Sequence, residues 1–78
     1  MNSEEALTLI KKALENVEAG LAEKIHTRTN LVDDDILDSL EVMNFLFELE
    51  NLHGKNIEEI DEEFSDFRVS KLIEILSS

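Results

Sequence analysis

The chain of 78 residues has no cysteine, no proline and only two glycines, Gly20 and Gly54. Without cysteine there is no disulfide framework, no zinc knuckle and no thiol nucleophile of the protein's own, so any thiol chemistry must be imported. With no proline and so little glycine, the breaks between elements must be read from hydrophobic period and helix-end chemistry. Positive charge is scarce as well: seven Lys and Arg stand against nineteen Asp and Glu, for a net charge of −12 with both histidines neutral. Such a charge keeps a chain in solution and repels phosphate backbones, which argues against nucleic-acid binding and against anionic membranes. It also costs stability through self-repulsion, so salt or millimolar divalent cations are expected to raise the melting temperature. Long apolar runs are missing too, the longest being Phe45-Leu46-Phe47, and Met1-Asn2-Ser3-Glu4-Glu5 carries acid where a secretory signal needs base. These absences point to a cytoplasmic protein without membrane insertion.

The length fits one small domain, residues 1–78, near the size at which burial only just offsets chain entropy. Leu7, Ile10, Leu14 and Val17 recur at three- and four-residue steps with Ala6 and Ala13 beside them, which predicts a first helix. Ser3 is placed to cap it, and Glu4 and Glu5 suit the positive end of its dipole. From Gly20 to Leu37 the period fades into a long tethered connection carrying Thr27, Thr29, Asn30 and the triplet Asp33-Asp34-Asp35, with Leu21, Ile25, Leu31 and Ile36 as anchors. A second helix opens at Asp38 or Ser39 and runs to about Leu52, with Gly54 ending it. Asp38 followed three residues later by Glu41 has the form of a capping box, worth roughly 1 kcal/mol. Ile57, Ile60, Phe64 and Phe67 then lie among acidic residues, with room for a helix of one or two turns. Val69, Leu72, Ile73 and Leu76 predict a last amphipathic helix, with Asp66 the nearest candidate cap. No period-two strand is apparent.

The second helix carries two apolar faces. With about 100° between successive residues, Val42, Phe45, Leu46, Leu49 and Leu52 fall on one side, a stripe for the core. Leu40, Met43 and Phe47 fall on the other, beginning beside Ser39; Glu41, Asn44 and Glu48 flank them on one edge and Glu50 on the other. An apolar centre with an acidic rim suits a docking surface for a partner with a basic border. No Lys or Arg occurs between Arg28 and Lys55, so the surface presenting Ser39 should be strongly negative. The plainer alternative is that Leu40, Met43 and Phe47 pack beneath the long loop.

Other chemistries fit less well. If Asp33 opened a calcium loop, its sixth place would hold Asp38 instead of glycine and its twelfth Asn44 instead of a bidentate glutamate. Ser39 has no histidine nearby in sequence to activate it, and His26 and His53 are too isolated to argue a triad.

Asp38-Ser39-Leu40, preceded by a long loop and followed by Glu41-Val42-Met43 and the acid-edged helix, resembles the acyl carrier protein family of phosphopantetheine-bearing carriers, over nearly the whole chain. The resemblance implies an all-α fold, a small four-helix bundle with a long first loop and a short third helix. It implies a monomer without catalytic activity of its own that shuttles acyl intermediates between enzymes of fatty acid, polyketide or related biosynthesis. On this likeness Ser39 is esterified by 4'-phosphopantetheine, whose terminal thiol carries the acyl group as a thioester. Asp38 would help place the metal ion of the phosphopantetheinyl transferase. Leu40, Glu41, Met43 and Phe47, with Asn44 and Glu48 on the same surface, would meet acyl-loading and acyl-processing enzymes through their basic patches.

The sequence departs from the family at several places. Ile36 stands where glycine is common, giving a Leu-Asp-Ser-Leu form similar to that of aminoacyl and D-alanyl carriers. Asn44 replaces a common partner-binding glutamate, Phe45 an aliphatic core residue and His53 an aromatic one. The competing reading is a non-catalytic acidic helical adaptor that docks a basic partner without a cofactor.

Overall fold

The computed structural model describes residues 1–54, 57, 60 and 64–77. Among these the chain is all-α, with three α-helices, α1 (Ser3–Val17), α2 (Ser39–His53) and α3 (Val69–Ser77), one short 3-10 turn at Leu21–Lys24 and no strand. No helix among the described residues is long and apolar enough to cross a membrane.

α1 starts one residue earlier in its capping than Ser3 would require. The cap is Asn2, whose Oδ1 accepts from the Glu5 N–H at 2.8 Å while Glu5 Oε1 accepts from the Asn2 N–H at 3.2 Å. Asn2 keeps an extended backbone, φ −87° and ψ 173°, from which a side chain can fold back onto the first turn; Ser3 is already helical. Ala6, Ile10, Ala13 and Leu14 are fully buried, and Leu7 and Val17 pack against the core from its margin. The helix stops three residues before Gly20, with the Glu18 N–H closing on the Leu14 carbonyl at 3.0 Å.

α1 packs against both other helices, whereas no Cα pair of α2 and α3 comes within 8 Å. Buried Ile57, Ile60 and Phe67 join the same core, with Phe64 half-buried and meeting Phe67 edge-on at 5.3 Å and 86°. The Ile60 N–H donates to the Ile57 carbonyl at 3.0 Å. The short helix expected in this stretch falls largely on residues outside the described set.

The long connection is held by turn chemistry and by pairing with the start of α3. Asn30 Oδ1 accepts from the N–H groups of Val32 and Asp33 at 3.0 and 2.9 Å, and the Asp34 carboxylate accepts from the Asn30 N–H at 3.0 Å. Asp35 takes a left-handed backbone, φ 57°, which aspartate tolerates better than most residues. Leu21, Ile25 and Leu31 are buried as expected; Ile36 is only half-buried, and Leu37 is the deeper anchor. Asn30 and Arg68 form an isolated antiparallel bridge, with Leu31 N–H donating to Phe67 C=O and Val69 N–H to Thr29 C=O, both at 2.9 Å.

That pairing also corrects the cap of α3. Asp66 lies too early to serve, because the chain is still bridged at Arg68; its carboxylate instead takes the Arg68 guanidinium at 2.8 and 2.6 Å. The first helical bonds of α3 run from the Lys71 and Leu72 N–H groups to the Arg68 carbonyl, at 3.0 and 3.1 Å. The Arg68 hydrogen bond holds the Asp66 carboxyl below its ordinary value, and the same bond raises the guanidinium.

Candidate functional site

Ser39 is the first residue of α2 and is exposed. Its position is set by Asp38, the cap, whose backbone is extended at φ −87° and ψ −177°. Asp38 Oδ1 accepts from the Leu40 N–H at 3.0 Å and the Glu41 N–H at 2.8 Å, and Glu41 Oε1 accepts from the Asp38 N–H at 3.1 Å. The capping box expected from Asp38 and Glu41 is therefore present, and it fixes where the helix begins. A hydroxyl at this end of a helix can carry an anionic ester, since the dipole favours nearby negative charge by about 0.3–1 kcal/mol.

Among the described residues neither histidine is hydrogen-bonded to the Ser39 hydroxyl. His26 Nδ1 accepts from the Arg28 N–H at 3.0 Å. His53 lies at the other end of α2, about 20 Å along the axis at roughly 1.5 Å per residue. Among the described residues the Ser39 hydroxyl has no hydrogen-bond partner of its own.

The two faces of α2 separate sharply. Val42, Phe45, Leu46 and Leu49 are buried, between 0% and 8% exposed, while Leu40, Met43 and Phe47 are 77%, 63% and 67% exposed. The outward stripe is thus open, and the alternative that it packs beneath the loop does not hold. Leu52 departs from expectation: at 37% exposure it is not in the core. The angular step explains this, since at about 100° per residue His53 lies nearer the centre of the buried arc than Leu52, which falls at its edge. His53 is accordingly half-buried, and its Nδ1 is buried without a hydrogen-bond partner among the described residues. Gly54 closes the helix with φ 89°, a conformation that suits glycine, and its N–H donates to the Glu50 carbonyl at 3.0 Å.

On the rim, Asn44 is exposed and Glu41, Glu48 and Glu50 are half-buried. One contact was not legible in the sequence: Asn16 Nδ2, on α1, donates to Glu48 Oε2 at 3.3 Å. The two residues are remote in the chain, and only the packing of α1 on α2 brings them together.

The acidic triplet ahead of the site is a turn, with Asp34 Oδ2 accepting from the Asn30 N–H. Among the described residues no group of three or more His, Cys, Asp or Glu side chains is arranged to hold a metal ion. An open hollow of about 450 Å³ runs along the start of α1 between Met1, Thr8, Leu9 and Lys12, and it includes none of the site residues of α2.

Comparison of the chain with family models, with curated proteins and with solved structures gives no match.

Proposed function

We propose that this chain is an acyl-carrier-type protein, modified on Ser39 by 4'-phosphopantetheine and delivering thioester-bound acyl groups between enzymes. The observation that carries the reading is the exposed Ser39 at the first position of α2, at the end of the helix where the open stripe of exposed Leu40, Met43 and Phe47 begins. A modifying enzyme can reach such a hydroxyl, and the attached phosphodiester would lie at the positive end of the helix dipole. The reactive thiol arrives with the cofactor, which suits a chain without cysteine. In this reading the protein supplies position and recognition. Asp38 and Glu41 hold the helix start, while Leu40, Met43 and Phe47, with Glu41, Asn44 and Glu48 along one edge, meet the basic patches of the transferase and of acyl-loading and acyl-processing enzymes. The reading carries with it a four-helix bundle with a short third helix after Gly54, and a monomer working in the cytoplasm.

The same open stripe also suits an adaptor that docks a basic partner without any cofactor, and one experiment separates the two. The chain is incubated with coenzyme A and a promiscuous phosphopantetheinyl transferase, and its intact mass is measured. Addition of one phosphopantetheine to the wild type and none to Ser39→Ala supports the carrier. A wild type that stays unmodified leaves the adaptor.

A further inference from the structure

The edge of α2 beside the open stripe carries two glutamates that are not free to wander. Glu41 Oε1 is held by the Asp38 N–H at 3.1 Å, and Glu48 Oε2 by Asn16 Nδ2 across from α1 at 3.3 Å. They lie seven residues apart, which is about 10 Å along a helix at roughly 1.5 Å per residue. Both are half-buried, so part of each side chain is already confined by packing. A carboxylate accepts several hydrogen bonds, so one engaged oxygen leaves acceptor capacity on the other. A glutamate that swings freely must be immobilised when a partner binds, and that ordering lowers affinity by about two- to tenfold per side chain.

We infer that Asn16 is a positioning residue of the docking edge, holding Glu48 so that it and Glu41, seven residues apart on one edge of α2, offer two held carboxylates to a pair of cationic side chains on a partner enzyme. The inference rests on the carrier reading above. It extends the recognition surface from α2 onto α1 and gives the partner a specific chemistry, two Arg or Lys side chains at matching spacing. Asn16 suits the role because its amide is neutral and donates to Glu48 without cancelling the charge that the partner reads.

The test is the dissociation constant of the full chain for a purified phosphopantetheinyl transferase, measured with thermal melts of each variant. Asn16→Ala should weaken binding about threefold with the melting temperature unchanged, since immobilisation of one side chain is what is lost. Asn16→Asp decides between positioning and charge. It adds a negative charge, which would tighten binding to a basic partner if charge alone mattered, but it replaces the donor with a group that repels Glu48, so weaker binding is expected. Asn16→Ala placed on Glu48→Gln should cause no further loss. Tighter binding by Asn16→Asp, or an equal loss from Asn16→Ala in both backgrounds, would overturn the inference. A wild type that binds and is modified while Asn16→Ala binds equally well sinks the role of Asn16 alone. A wild type that neither binds nor is modified sinks the carrier reading with it.

Discussion

Phe45 and Phe47 sit two residues apart on α2 and live in opposite surroundings: the first is fully buried, the second 67% exposed. Their sequence neighbours are much alike, and hydrophobicity alone would assign both to a core. What separates them is the turn of the helix, which carries Phe45 in with Val42, Leu46 and Leu49 and Phe47 out with Leu40 and Met43. One face contributes to stability; the other leaves apolar surface in water, where only an encounter with another molecule can cover it.

The sharpest way to break this comparison is truncation on each side. Phe45→Ala should cost about 3–5 kcal/mol. At roughly 4–8 °C per kcal/mol for a domain of this size, its thermal midpoint should fall by more than about 10 °C. Phe47→Ala should stay within about 0.5 kcal/mol of wild type. Equal losses for the two variants in a thermal melt would mean that the outward stripe is covered in solution.

The next effect concerns binding. On the proposed carrier reading, Met43→Glu or Phe47→Glu should leave the melt in place and weaken association with the transferase by about 2 kcal/mol, roughly thirtyfold, as expected when an apolar anchor becomes a charge at the centre of an interface. A variant that melts early would put that residue on the inner face after all.

Smaller still is the difference between neighbours at the helix start. Asp38→Ala removes the acceptor for two first-turn N–H groups and should cost about 1 kcal/mol. Ser39→Ala, at an exposed position, should change stability by less than about 0.5 kcal/mol. Chemical denaturation of the two variants side by side checks this, and a Ser39→Ala loss as large as that of Asp38→Ala would make the serine structural.

The smallest effect lies away from α2. The folded-state pKa of Asp66 is depressed, first by its hydrogen bond with Arg68, so its contribution to stability is present above the ordinary aspartate value and is lost as pH falls through the lowered one. Arg68→Met should move the Asp66 titration, followed by NMR, back up toward that ordinary value. Because the pair is at the surface, the change in stability should be slight, and a titration that does not move would assign the depression to another group.

Most of α2 was legible because three local signals agree: the Asp38–Glu41 box, the apolar period and Gly54. Where signals competed, the sequence misled. Ser3 and Asn2 are both good caps, but only Asn2 has a glutamate three residues on, and that spacing identifies the true cap without any structure. Leu52 looked like core because it is apolar, though the helical angle favoured His53. The Asn16–Glu48 contact and the bridge between Asn30 and Arg68 carry no periodic signal, since each depends on how distant elements come together. The short helix expected near Ile57 and Ile60 lies largely on residues outside those described.

That bridge has a reach beyond its two hydrogen bonds. The loop leading to Ser39 is fastened at residues 29–31 to residues 67–69, so the placement of the Ser39 hydroxyl is underwritten by the segment that opens α3. Fraying or truncation of α3 would slacken that mooring and be felt at the serine, without altering a single residue of the helix that bears it.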